Sequence, residues 1–181
     1  MCEVAGSLRR RKEIIGDIDL LVAASGKAKK TVFDVFTGHE SVERVVAKGE
    51  TKSSVVLKGG IACDLRVVEK GEFPFALNYF TGSKEHNVEM RSIARKKGLS
   101  LNEYGFTKIE EARKGTKIPS CESEEEIYKA LGLAYVPPEL RENNGEFEAA
   151  KTGKMPTLLE VQDLRGTFHC HTTYSDGHNT L

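Results

Sequence analysis

No stretch of the 181 residues approaches the roughly 18 uninterrupted apolar residues of a membrane span. The opening MCEVAGSLRRRKE has no apolar core behind its basic residues, so neither a leader nor an anchor is expected and the reading is cytoplasmic. No C-x-x-C pair joins Cys2, Cys63, Cys121 and Cys170, which argues against a zinc site or a disulfide framework and for reduced thiols. Neither charge is in excess: 27 Lys and Arg balance 27 Asp and Glu, so no global field attracts a polyanion and any such surface must be local. The candidates are Arg9 to Lys12, the lysines at 27, 29 and 30, and Arg91 with Arg95, Lys96 and Lys97, each also explained by a solvated face. What is present is a 39% hydrophobic chain, long enough for one good core or two small ones.

Periodicity predicts an α+β organisation. DIDLLVA (17 to 23) alternates and then turns apolar, as a strand does, and Val32, Phe33 and Phe36 stand at helical spacing. VERVVAKG and SSVVLKGGIACDLRVVE read as strands joined by glycine turns, giving a mixed sheet with helices on one face. From Phe73 the pattern turns helical: FPFALNYFTG, then KEHNVEMRSIARKKG, capped by Ser83 and stopped by Gly98. LSLNEYGF reads as one short strand, and the acidic run Glu122 to Glu126 opens a helix through IYKALG that YVPPELR ends. The expected divisions are 1–76, 77–142, a linker over 143–160 rich in Gly, Pro and charge, and a tail over 161–181 that looks like the opening of another domain.

Asp17 and Asp19 leave the same face of their strand, and two like charges held so close are tolerable with a divalent cation between them. A surface strand with outward aspartates gives the same string. Gly6-Ser7 upstream strengthens the functional reading, because glycine lets a phosphate approach the backbone and the serine hydroxyl and helix-start amides donate to it. A phosphate-gripping turn followed by paired carboxylates is what phosphoryl transfer requires. Asp64, between Cys63 and Leu65, either pairs with Arg66 or completes a metal-binding triad and takes the proton of an attacking hydroxyl.

GSLRRRKEIIGDIDLLV, KGETKSSV, CDLRVV, YFTGSKEHNVEMR and LNEYGF occur in the order and approximate spacing of family X DNA polymerases, the nucleotidyltransferase group that includes DNA polymerase beta. The chain resembles the bacterial members over about residues 3 to 142, which implies a nucleotidyltransferase palm (1–76) and a small α/β thumb (77–142). The resemblance implies that Asp17 and Asp19 hold two Mg²⁺ ions, with Mn²⁺ as a substitute, and that Asp64 binds the catalytic one. It further implies that Ser7 and Arg10 hold the outer phosphates beside Gly6 and Gly16, and that Tyr79, Phe80 and Gly82 lie against the sugar, with a cis Gly82–Ser83 peptide. Asn87 meets the base, Arg91 the template and Lys52 the DNA backbone, while Arg66 and Glu103 form a switch. The partners implied are dNTP and gapped or primed DNA, bound by a monomer that fills gaps in repair.

Three departures stand out: Lys84 replaces an acid of polymerase beta, Ile14-Ile15 replaces a serine pair, and the family's helix-hairpin-helix segments and first palm helix find no counterpart after Met1, so the sheet is expected to be incompletely covered. In the tail, His169-x-His171 followed by Asp176 resembles the first motif of the polymerase and histidinol phosphatase (PHP) domain, which binds Mn²⁺ or Zn²⁺ and whose other motifs are expected beyond Leu181. Two rival readings stay open: a template-independent nucleotidyltransferase of the same fold, and a module that binds nucleotide or DNA without catalysis.

Overall fold

The structure, a computed structural model, describes residues 1–166 and 168–180. β1 (Cys2–Val4) leads into one helical turn, α1 (Gly6–Arg9), and then into β2 (Asp17–Ala23). α2 (Lys27–Thr37), β3 (Val42–Lys48), β4 (Lys52–Leu57) and β5 (Ala62–Val68) follow. These strands make one mixed sheet in the order β1-β2-β5-β4-β3. Only β2 and β5 run parallel, and a parallel pair needs a long crossover, supplied here by α2, β3 and β4.

Alternation divides the sheet's side chains between its faces. Leu20 and Val22 of β2, with Leu65 and Val67 of β5, face Phe33 and Phe36 of α2. Leu21 and Val68 point the other way, against Phe73, Ala76 and Leu77 of α3 (Phe73–Thr81). Helices on both faces correct the expectation of helices on one. The cause lies in α3, which is apolar nearly all round and buries Phe73, Pro74, Phe75, Ala76 and Leu77 together, so it has to be covered on several sides. Beside α2 an open apolar groove of about 670 Å³ remains, lined by Ile18, Leu20, Val22, Val32, Phe36 and Leu65 among others. At one of the sheet's two edges, β3 is mostly exposed and its pairing slips between Val42 and Arg44 and again between Val45 and Ala47.

The second unit starts from α4 (Lys84–Lys96), whose first turn is capped by Ser83 Oγ accepting from His86 N at 3.2 Å. β6 (Leu99–Asn102) and β7 (Gly105–Lys108) form a hairpin where one strand was expected. Asn102 Oδ1 accepts from the amides of Tyr104 and Gly105 and so closes the turn, which hydrophobic alternation alone does not reveal. α5 (Glu124–Leu131) has Ser123 as its cap and three glutamates in its first turn, where the helix dipole favours negative charge.

A larger correction concerns the expected linker. Residues 146–152 form α6 (Glu146–Thr152), and Phe147 and Ala150 are buried with Met90, Ile127 and Tyr128 in the core of the second unit. The two apolar residues stand three apart on one helix face, a signal too short to show through the surrounding Gly, Pro and charge. Among the described residues no helix is long and apolar enough to cross a membrane. Phe147→Ala should lower the unfolding free energy by about 3 to 5 kcal/mol, read from the urea midpoint; an unchanged midpoint would remove α6 from the core.

Candidate active site

Register brings the carboxylates together. Asp19 lies directly across from Asp64 in the parallel β2–β5 pair, and Asp17 is two residues back along the same strand, so all three share one face of the sheet. α3 covers that face over Leu21 and Val68, and its last residues, Tyr79 to Thr81, border one cleft with Asp17 and Asp19. Beside them the backbone of α1 comes very close: Gly6 has φ +62°, and a Cβ placed there would stand 2.3 Å from Asp19 Oδ2. Position 6 therefore needs glycine both for its conformation and for space.

Gly6, Asp17 and Asp19 border a cleft of about 350 Å³. Its lining includes Gly6, Ser7, Arg10, Asp17, Asp19, Tyr79, Phe80, Gly82, Asn87 and Arg91, and also Thr81, Ser83 and Lys84. The Gly82–Ser83 peptide in its wall is cis. Tyr79 and Phe80 pack edge to face with centroids 5.1 Å apart, and Asn87 Nδ2 donates to Tyr79 O at 2.7 Å. Gly16, Lys52, Asp64, Arg66 and Glu103 do not line the cleft. A Cβ at Gly16 would meet nothing within 4 Å.

Electrostatics sets Asp19 apart from Asp64. Burial, then the like charges of Asp17 and Asp64, push Asp19 above the usual carboxylate value, with Arg66 and Lys52 opposing. For Asp64 burial also acts upward, but hydrogen bonds from Lys52 and Ser54 and the charges of Lys52 and Arg66 outweigh it and hold the carboxyl low. Asp64 is thus ion-paired, with Lys52 from the neighbouring strand β4 rather than with Arg66. Arg66 instead lays its guanidinium 4.2 Å from the centre of the Phe80 ring, and its Nε is buried without a hydrogen-bond partner. Among the described residues Arg66 makes no ion pair with Asp19 or with Glu103.

The donor set, three carboxylates on one face with Asp19 crowded by the like charges of Asp17 and Asp64, is of the hard-oxygen kind that suits Mg²⁺. Among the described residues no group of three acidic, histidine or cysteine side chains is arranged to hold a metal ion, and the ammonium of Lys52 is the cation that Asp64 meets. In the tail, His171 Nδ1 contacts the Asp176 carboxylate and the His169 ring lies 5.0 Å from that of His171.

Residues 76–142 match the DNA polymerase beta thumb. The chain is 37% identical over 175 residues to the DNA polymerase/3'-5' exonuclease PolX of Bacillus subtilis, covering 96% of this chain and 29% of that protein. It is 30% identical over 141 residues to the repair DNA polymerase X of African swine fever virus, covering 75% of this chain and 78% of the viral one. The chain belongs to the family X DNA polymerases. DNA polymerase lambda of Rattus norvegicus is 28% identical over 164 residues, covering 78% of this chain and 29% of the rat protein. The chain therefore spans under a third of the length of the Bacillus and rat relatives.

Within this family X chain a buried ion network joins α1 to the second unit, and the sequence reading missed it. Arg9 donates to Glu124 Oε2 at 2.6 Å and to Thr81 Oγ1 at 2.7 Å, while the fully buried Arg141 donates to Glu124 Oε1 at 2.6 Å. Arg10 is held by Glu142 at 2.8 Å and by the carbonyl of Thr81 at 2.5 Å, and Ser83 N donates to Arg141 O at 2.9 Å. The glycine-serine turn and the Tyr79–Ser83 wall are thus tied to the same few side chains. Nothing local signals a pairing between residues 115 apart; only the odd acid that starts an amphipathic helix hints at it.

Two outcomes follow. Asp19 keeps its proton to higher pH folded than unfolded, so its ionisation weakens the fold as pH rises above 3.8, and the penalty is absent below that value. Asp19→Asn should raise the melting temperature by a few degrees near neutral pH, with the gain vanishing in acid. Glu124→Ala should cost about 3 to 5 kcal/mol in chemical unfolding because it leaves Arg141 buried and unpaired.

Proposed function

We propose that this chain is the palm and thumb of a bacterial-type family X polymerase that adds a deoxynucleotide to a primer 3′-hydroxyl under template direction, filling gaps in repair as a cytoplasmic monomer. The observation that supports it best is the pairing of Asp19 with Asp64, with Asp17 beside them and Gly6 pressed against Asp19. The names of the viral and Bacillus relatives point the same way.

Asp17 and Asp19 would hold two Mg²⁺ ions and Asp64 the one nearer the primer; the ions, when bound, supply the positive charge that offsets negative charge developing on the transferring phosphoryl group. Ser7 and the α1 amides donate to the outer phosphate oxygens, and Arg10, already fixed in the cleft wall, adds a fixed positive charge. Tyr79, Phe80 and Gly82 give the sugar a shaped wall, Asn87 reaches the base and Arg91 the template. The 3′-oxygen forms a bond to the α-phosphorus as the bond to pyrophosphate breaks. The hydroxyl proton passes to Asp64, directly or through water, and a carboxyl held low takes it only briefly. Lys52 has to release Asp64 for this, a step in keeping with its reassignment to the DNA backbone. Arg66 and Glu103 are read as the switch pair of an open and a closed form, and His169, His171 and Asp176 as the first motif of a PHP domain taking Mn²⁺ or Zn²⁺.

Gapped-primer extension with Mg²⁺ tests the reading: Asp64→Ala should slow incorporation by about 10²- to 10⁴-fold, and retained extension would remove Asp64 from the chemistry. Incorporation indifferent to template sequence, or nucleotide binding with no incorporation, would favour the two rival functions.

A further inference from the structure

α4 carries Asn87 and Arg91 to the cleft, and its first turn is held from behind by groups outside the cleft lining. The ring of His86, one residue before Asn87, is fully buried and bound at both nitrogens: Nδ1 lies 2.7 Å from Glu146 Oε1 and Nε2 lies 2.8 Å from the Tyr128 hydroxyl. Phe147 stacks on its face with centroids 4.5 Å apart. Burial pushes His86 down to about 4, so the ring is neutral and donates from one nitrogen only. A carboxylate accepts, hence Nδ1 carries the hydrogen and Tyr128 donates to Nε2. Glu146 also accepts from the amides of Asn143 and Asn144, both at 2.7 Å, which fastens the start of α6 to the same point.

An apolar residue at 86 would fill this space without desolvating a polar pair, but it would not fix a ring rotation or tie three segments at one point. The turn so fixed transmits to the cleft, because Asn87 holds the Tyr79 carbonyl and Ser83 holds that of Arg141. The thumb match ends at residue 142, so α6 lies beyond it. We propose that Glu146 is a positioning residue of the nucleotide site, acting through His86 to set the reach of Asn87 toward the base. This rests on the polymerase reading above and assigns the segment after the thumb a part in nucleotide recognition.

The experiment combines ¹⁵N histidine NMR with dATP–Mg²⁺ binding on the whole chain. The wild type should show His86 as the neutral Nδ1–H tautomer, and adding dATP with Mg²⁺ should shift its Nδ1 resonance. Glu146→Gln should weaken dATP binding on the order of tenfold, the usual effect of removing an outer partner that orients a ligating side chain. In combination with Asn87→Ala it should add nothing beyond about twofold, the scatter of such cycles. Unchanged affinity in Glu146→Gln, or losses that add in the double variant, would overturn the proposal while leaving the polymerase reading intact. Should Glu146→Gln fail to fold, a His86 resonance that ignores nucleotide in the wild type has the same force. A wild type that binds no dATP would overturn both.

Discussion

The parallel pairing of β2 with β5 is the constraint from which the site follows. It sets Asp19 against Asp64 at strand spacing, and the alternation of β2 adds Asp17 on the same side. Burial, and then the like charges of Asp17 and Asp64, raise the cost of ionising Asp19. The surroundings can be read as compensation: Lys52 reaches Asp64 from β4, the charge of Arg66, stacked on Phe80, acts on Asp19 and Asp64 from nearby, and α1 brings amide donors rather than more acid to the rim. Under the proposed phosphoryl transfer, an arrangement unfavourable alone would be offset by the cations that bind with substrate.

Rigidity comes from elsewhere. The cleft wall from Tyr79 to Ser83 belongs to neither core alone, and it is fixed by Arg9, Arg10, Arg141 and Asn87 through hydrogen bonds to its backbone and to Thr81. Replacing such a network by apolar packing is often neutral for stability, so what it contributes here is fixed geometry as much as stability. Because Glu124 takes both Arg9 and Arg141, a movement of α5 is felt at the turn beside Asp19.

Much of this was legible in the chain. β2 announced itself by alternation, α4 by Ser83 and Gly98, and the mixed sheet by its order of strands and glycine turns, since each depends on neighbours a few residues away. The aspartates and Gly6-Ser7 were readable because spacing along a strand fixes facing. What failed to show depends on distant partners. Lys52 rather than Arg66 holds Asp64 because β4 pairs in a register that composition does not encode. α6 was hidden by its glycines and charges, and its one strong signal, Phe147, has meaning only against a core built from residues 75 to 136. The β6–β7 turn hinged on a single Asn102 oxygen.

The slips in β3 bear on behaviour in concentrated solution. An unpaired strand invites a second chain to add itself, edge to edge, and a long flat one does so readily. Two irregularities within seven residues that also carry Glu43, Arg44 and Lys48 bend and charge this rim so that a neighbour finds no continuous ladder to join. The open sheet can therefore end at β3 without templating its own precipitation.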